Sequence, residues 1–290
     1  MTTTKAFDST PAALPALQAF FAEHPRVCVL TGAGCSTGSG IPDYRDRNGE
    51  WKNRQPVQFA DFRGKHSTRQ RYWARSLIGW QRFSRAHPNA AHHALARAEQ
   101  RGLLNGLITQ NVDALHQQAG QQQVIDLHGR LDRVICLDCH FDQPRDAFQI
   151  RLSKLNADWL HYDAVDAPDG DARLETDFSS FQVPSCPNCG GMLKPDVVFF
   201  GENVPRERVA QAMQWSAEAD ALLVVGSSLM VFSGFRFVRE AAKRGQPVAA
   251  INHGRTRADE LLTLKLEADC GELLQQWAGT LPTATPSLAR

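Results

Sequence analysis

Thr31-Gly32-Ala33-Gly34-Cys35-Ser36-Thr37-Gly38-Ser39-Gly40-Ile41-Pro42-Asp43-Tyr44-Arg45 is the stretch on which the fold turns. It follows the apolar run Val27 to Leu30, so its first glycines stand where a strand gives way to a nucleotide-binding turn. An ordinary long helix cannot come next. One opening near Gly34 would contain Gly38, Gly40 and Pro42, at about 1 kcal/mol for each Gly and about 3 for Pro in a helix interior. The expectation is a short helix at most, then an irregular polar loop carrying Asp43, Tyr44, Arg45 and Asp46. Backbone N–H groups of Gly32, Ala33 and Gly34 would face a pyrophosphate, with a hydroxyl from Ser36 and a charge-assisted contact from Arg45. A glycine pattern of this kind is weak by itself, its alternative being a plain strand-to-helix turn.

Two further segments place polar groups at strand ends, where open α/β sheets bind their ligands. Gln110-Asn111-Val112-Asp113-Ala114-Leu115-His116 follows the apolar run Gly106 to Thr109, and Asp126-Leu127-His128-Gly129 follows Val124-Ile125. With these segments the chain resembles the sirtuins, the NAD-dependent protein deacylases, whose signature reads GAGxSxxSGIPDFR, then TQNxDxLH, then HG. All three occur in order, and the resemblance runs to about residue 275.

Further strand candidates are Val197 to Phe200, Leu222 to Gly226, Val248 to Asn252 and Leu264 to Leu266, with amphipathic helices at 206–219 and 234–244. Strands alternating with such helices imply an α/β, Rossmann-like doubly wound parallel sheet. A smaller lobe would be made of a four-cysteine zinc module (about 136–191) and a helical insertion (about 59–89). The larger lobe would take about 10–58, 90–135 and 192–280, giving one domain over 10–280 with flexible termini at 1–9 and 281–290.

Of the seven cysteines, Cys136, Cys139, Cys186 and Cys189 form two CxxC knuckles, the pattern of a tetrahedral zinc site. With all four positions filled by thiolates there is no open coordination place, so one structural Zn2+ per chain is expected. Redox pairs or disulfides are the alternatives. Residues 140–185 between the knuckles far exceed the roughly 15–20 of the common spacing. The acidic, turn-rich Asp163 to Asp171 reads as a surface loop in that insertion. The insertion, Tyr44 in place of the usual Phe, and Gly226-Ser227-Ser228-Leu229 in place of GTSL are similar to the class II branch of the sirtuins. Cys28, Cys35 and Cys270 read as small buried hydrophobes.

A hydride-transferring dehydrogenase would carry an acidic residue ending a second strand roughly 20 residues past the glycines. Trp51-Lys52-Asn53-Arg54 stands there instead, so NAD reads as a consumed co-substrate. The resemblance implies that Gly226, Ser227, Ser228, Asn252, His253, Gly254 and Cys270 serve the adenosine half, that Gln110 and Asn111 orient the ribose hydroxyls and a water, that Asp113 holds the nicotinamide carboxamide and that Tyr44 shields the reacting carbon. It makes His128 and Asn111 the catalytic pair, His128 removing a proton from the ribose hydroxyls. An unperturbed histidine pKa of about 6.5 suits that step. The products implied are free lysine, nicotinamide and 2′-O-acyl-ADP-ribose.

The resemblance also puts an acyl-lysine protein or peptide between the lobes. It would lie as an added strand between Val198-Phe199-Phe200-Gly201-Glu202 and Ser228-Leu229-Met230-Val231, with Val198 and Phe200 lining the acyl tunnel and Leu229 on the facing segment. Ser233 stands where many sirtuins have Pro. Tyr72 and Arg75, three apart on one helix face, resemble a Tyr-x-x-Arg pair that reads acidic acyl groups, and equally fit a solvated basic face with Arg69, Arg71 and Arg82. An acyl group longer than acetyl is the expectation. NAD-dependent mono-ADP-ribosyl transfer to protein is the alternative activity, and a non-catalytic zinc-ribbon module the alternative class.

Composition agrees with an enzyme. A 290-residue chain, 42% hydrophobic and 22% charged, buries a full core, and a net charge of +1 offers no case for direct nucleic acid or membrane partners. No signal or transit pattern is read at Met1 to Thr10, and a cytoplasmic location is expected.

Overall fold

The computed structural model describes residues 5–52, 56–162, 165–166, 172–174 and 176–282. The acidic loop reading of Asp163 to Asp171 falls largely outside them, as do Asn53, Arg54 and the C-terminal residues 283–290.

In chain order the larger lobe contains β1 (Lys5–Phe7), α1 (Thr10–Glu23) and β2 (Val27–Thr31). The helical excursion follows as α2 (Phe59–Gly64) and α3 (His66–Phe83). Then come α4 (Ala90–Gln100), β3 (Leu104–Thr109), α5 (Leu115–Gln118) and β4 (Val124–Asp126). The second excursion holds β5 (Gly129–Cys136), β6 (Asp142–Pro144), α6 (Arg145–Leu155), β7 (Val165–Asp166), β8 (Ala172–Arg173) and β9 (Leu193–Val197). The chain closes with α7 (Arg206–Glu218), β10 (Ala221–Val225), α8 (Phe232–Lys243), β11 (Val248–Ile251), β12 (Leu264–Leu266) and α9 (Cys270–Thr280).

Seven parallel strands run in the order β1-β12-β11-β10-β2-β3-β4. Strand β2 is buried on both faces. Val27 and Val29 join the core under α1, α4 and α9, while Cys28 and Leu30 join the core under α7 and α8. The chain winds outward from β2 through β3 and β4, then returns to β10 and winds the other way. The order therefore reverses between β2 and β10, and at such a switch point the carboxyl ends of the strands open a crevice.

Two strand expectations fail. Lys5–Phe7, expected in a flexible terminus, pairs in parallel with Leu264–Leu266 as the edge strand. Val197 to Phe200 is not a parallel strand. The strand is Leu193–Val197, antiparallel to β5 in a separate sheet of order β6-β5-β9. Beyond it the Glu202 carboxylate captures the Phe199 N–H at 2.9 Å, and Gly201 turns at φ +78°.

The smaller lobe has its own core. Trp73, Leu77 and Trp80 of α3 pack with Phe62, Phe148, Leu152, Phe181 and Leu193. Both excursions thus share one apolar cluster, as helical spacing along α3 provides.

Candidate active site

The crevice is a cavity of about 390 Å³ bounded by the loops after β2, β3 and β10 and by the segments after β4 and β9. Its floor is an interlock of two backbones. Gly34 donates its N–H to Gly226 O at 2.8 Å, and Gly32 to Val225 O at 3.0 Å. There is no room here for a methyl group. A Cβ on Gly34 would lie 2.9 Å from Gly226 O, and one on Gly226, itself at φ +59°, would lie 2.3 Å from Cys35 N. The interlock changes the expected anion site, because the N–H groups of Gly32 and Gly34 are already committed. Among the described residues the N–H groups of Ala33, Ser227 and Ser228, all on the cavity wall, take no such bond. Arg45 lines the same wall, with Nη1 donating to Gly49 O at 2.7 Å and its guanidinium 3.9 Å over the Trp51 ring. Tyr44 lines it too, its ring edge-on to Trp51 at 6.2 Å.

Gln110 and Asn111, just past β3, knit the loops together. Gln110 Nε2 donates to Ser227 Oγ at 2.9 Å, and Asn111 Nδ2 donates to Gly32 O at 3.0 Å and Ser36 Oγ at 2.9 Å. Ser36 donates in turn to Asp113 Oδ2 at 2.6 Å, while Asp113 Oδ1 accepts the Leu115 N–H. Burial raises the Asp113 pKa, and the bonds from Ser36 and Leu115 counter it. Ser36 and Asp113 thus stand behind the wall that Gln110 and Asn111 present to the cavity.

His128 is held by a bond that decides its tautomer. Its Nδ1 lies 3.0 Å from Gln110 O, and a carbonyl only accepts, so Nδ1 carries the proton and Nε2 offers a lone pair. Ser233 Oγ sits on that lone pair at 2.7 Å. Ser233 therefore acts as a hydroxyl partner of the histidine, which a proline there could not be. Burial, with Arg208 and Arg236 nearby, lowers the His128 pKa to about 4, against the ordinary value expected from sequence. The imidazole is neutral and ready to accept a proton at neutral pH.

The two segments expected to flank a peptide face the same cavity. Val198, Phe200, Gly201 and Glu202 line it on one side, and Ser228, Leu229 and Val231 on the other. Val198 donates to His128 O at 2.7 Å and Phe200 O accepts from Phe59 N at 2.8 Å. Glu202, paired with the buried Lys194 at 3.1 Å, holds the turn. Tyr72 reaches the cavity, but Arg75 is not among its lining residues, so the pair is not assembled on the wall.

Of the residues expected to serve the adenosine half, Gly226, Ser227, Ser228 and Asn252 line the cavity and three do not. His253 is exposed. Gly254 is needed for a different reason, since a Cβ there would lie 2.3 Å from Arg47 O. Cys270 is buried beneath the glycine loop, with its thiol 3.4 Å from Gly34 O. Sequence reading missed Trp51, Phe232 and Arg236 on the wall. Isolated aromatic and basic residues carry no spacing signal, and only the packing of loops against α8 brings them there.

The four knuckle cysteines converge as expected. Their sulfurs all lie within 4.8 Å, with Cys136–Cys189 at 3.6 Å and Cys139–Cys186 at 3.7 Å. A tetrahedron of thiolates around zinc, with Zn–S near 2.3 Å, needs S···S of about 3.8 Å, whereas a disulfide needs about 2.0 Å. The Asp138 and Gly191 N–H groups each point at a knuckle sulfur at 3.4 Å. This donor set fits a structural zinc, remote from the cavity lining.

A second cluster, Cys35, His92 and His116, is fully buried behind the glycine loop. His92 Nδ1 accepts the Asn89 N–H at 3.2 Å as part of the α4 cap, so its unpartnered Nε2 bears the proton. A protonated ring nitrogen is no metal ligand, and while the cap is formed the cluster reads as packing. Burial lowers the His92 pKa to about 4 and that of His116 well below its usual value. The adjoining Cys270 thiol, together with burial, pushes the Cys35 thiol far up.

Fold and site together define a nucleotide-binding α/β protein whose switch-point crevice holds a neutral histidine between a glycine loop and two peptide-sized edges. The model of the Sir2 family matches residues 32–233. NAD-dependent protein deacetylase 2 of Bradyrhizobium diazoefficiens is 64% identical over 263 residues, 90% of this chain and 96% of that protein. An NAD-dependent protein deacetylase of Xanthomonas campestris pv. campestris is 62% identical over 275 residues, 93% of this chain and 94% of that protein. Among solved structures, one described as Sir2-p53 peptide-NAD+ aligns with a TM-score of 0.72 at 29% identity, covering 91% of this chain and 96% of that one. The chain belongs to the Sir2 family, the sirtuins.

Proposed function

We propose that the protein is an NAD-dependent protein lysine deacylase that transfers the acyl group of a modified lysine to ADP-ribose and releases nicotinamide. The observation that carries this reading is His128, whose fixed tautomer turns an unprotonated Nε2 toward a cavity shared by the glycine loop and the two peptide edges. Bound NAD supplies an electrophilic ribose carbon, activated by its nicotinamide leaving group, for the acyl oxygen to attack. This chain's residues do the rest. Ala33, Ser227 and Ser228 N–H groups and Arg45 hold the phosphates. Asn111, braced by Gly32 and Ser36, positions the ribose hydroxyls. His128 Nε2 takes the proton from a ribose hydroxyl, which must displace Ser233 Oγ to reach it. Tyr44 and Trp51 cover the reacting face and limit water. Asp113, expected at the nicotinamide carboxamide, instead acts from behind the wall, fixing Ser36 and through it the Asn111 amide, and Asn252 contacts the adenosine half.

The acyl-lysine backbone lies between 198–202 and 228–231 as an added strand. Cys136, Cys139, Cys186 and Cys189 hold zinc and take no part in the reaction, but they anchor β9 and hence the 198–202 edge. The deciding experiment incubates the purified chain with NAD and acyl-lysine peptides and follows nicotinamide and O-acyl-ADP-ribose. Nicotinamide release with ADP-ribosylated protein and no acyl product would assign it instead as a mono-ADP-ribosyltransferase.

A further inference from the structure

Three guanidinium groups crowd one exposed aromatic ring at the mouth of the cavity. Phe232, the first residue of α8, is 43% exposed, and Arg236, Arg239 and Arg257 stand 5.5, 4.9 and 5.9 Å from its ring centroid. Phe232, Arg236 and Arg239 follow each other at helical spacing, so one face of α8 carries all three. Arg257 arrives from the loop after β11 and is tied to the peptide edge. Its N–H donates to Ser228 O at 2.9 Å and its Nη1 to Met230 O at 3.2 Å.

The cations are unevenly compensated. Arg239 has Glu240 at 3.3 Å. Among the described residues no carboxylate pairs with Arg236 or Arg257. Arg236 lines the cavity, and its Nε is buried without a hydrogen-bond partner. Like charges held together without counter-charges repel, and folding alone gives no reason to gather them. An exposed aromatic ring fringed by arginines has the make-up of a recognition patch, with an apolar centre and a charged rim.

We propose that this rim selects substrates, favouring an acyl-lysine that has Asp or Glu within a few residues of it. The acidic side chain crosses the face of Phe232 and is taken by Arg236 and Arg257, while the peptide backbone pairs with 228–231. The inference rests on the lysine deacylase reading and deepens it. The phosphates of NAD are served by other donors, the N–H groups of Ala33, Ser227 and Ser228.

The test uses the full chain, NAD and a matched set of peptides bearing one acyl group on lysine, flanked by Asp and Glu, by Asn and Gln, or by Lys and Arg. The expected result is a kcat/KM for the acidic set about 5- to 10-fold above the neutral set, carried by KM, and a further drop for the basic set. The advantage should shrink as ionic strength rises. Arg236→Gln and Arg257→Gln should each reduce it to about 2-fold. Arg257 is exposed, so its variant carries the test even if Arg236→Gln fails to fold. Equal kcat/KM for acidic and neutral peptides overturns the proposal and leaves deacylation standing. So does an advantage retained in both variants, or a KM for NAD that rises equally with every peptide. Absence of turnover with any acyl-lysine peptide overturns the deacylase reading itself.

Discussion

The two walls of the cavity are held by different kinds of contact. The glycine-loop wall is backbone against backbone, with Gly34 on Gly226 and Gly32 on Val225 at hydrogen-bond distance and no space for a side chain. The facing wall, from Ser233 through Phe232 to Arg236, is made of side chains on α8, partly open to solvent. The first wall admits almost no substitution, so it suits a co-substrate that never varies. The second can be re-cut one residue at a time, and it suits a peptide partner that does.

The largest expected effect tests what anchors the peptide edge from outside both walls. Cys186→Ser should abolish binding of one zinc per chain, which contributes on the order of 10 kcal/mol to ordering such a module. Elemental analysis and thermal melting check it. Fully active protein that contains no zinc would show that the knuckles are not a metal site.

Acid should weaken the molecule through its buried histidines next. His92 and His128 have folded pKa values near 4, while the unfolded chain takes protons near 6.5. Between those values the unfolded state binds more protons, so stability present above pH 6.5 is lost as pH falls toward 4. The loss is on the order of 3 kcal/mol for each of the two, and His116 adds to it in the same direction. Urea denaturation at pH 7 and pH 4.5 measures it, and equal stabilities would contradict the neutral, desolvated imidazoles.

The third prediction probes the meeting point of the walls. His128→Ala should lower deacylation by roughly 10²–10⁴ with NAD binding retained, and the acid limb of kcat/KM for the parent chain should lie near 4, well below 6.5. Near-parental turnover in the variant removes His128 from the reaction.

The smallest effect separates conformational strain from close approach. Gly226→Ala and Gly245→Ala both force alanine into positive φ, which costs roughly 1–2 kcal/mol. Only Gly226 would also drive a methyl to 2.3 Å from a backbone nitrogen, whereas nothing lies within 4 Å at Gly245. Gly226→Ala should therefore lose about 2 kcal/mol more than Gly245→Ala and, unlike it, weaken NAD binding. Equal losses in denaturant titrations would mean that the interlock gives way easily.

Much of the fold was legible because its signals are local. Val27 to Thr31 and Leu264 to Leu266 stand as strands where the apolar runs end in turn residues, and the two knuckles meet because CxxC spacing presents two sulfurs at once. The failures were of longer reach. Lys5–Phe7 is a strand only because β12 lies beside it, and Val198–Phe200 leaves the strand only because Glu202 folds back to the Phe199 N–H.

The candidate site divides in the same way. Its motif residues Gln110, Asn111 and His128 reach one cavity, but sequence could not tell that Gly32 and Gly34 spend their N–H groups on β10 and its turn, or that Tyr72 reaches the wall without Arg75.

By itself the sequence determined the glycine turn, the polar strand ends, the metal knuckles and the alternation of strand and helix, since torsional preference, hydrophobic period and ligand spacing act within a few residues. Tertiary structure alone decided which N–H groups stay free, the tautomer and depressed pKa of His128, the hydroxyl of Ser233 upon it, and the gathering of Arg236, Arg239 and Arg257 around Phe232. Desolvation and charge depend on neighbours that are remote in the chain, and only folding brings them within a few ångströms.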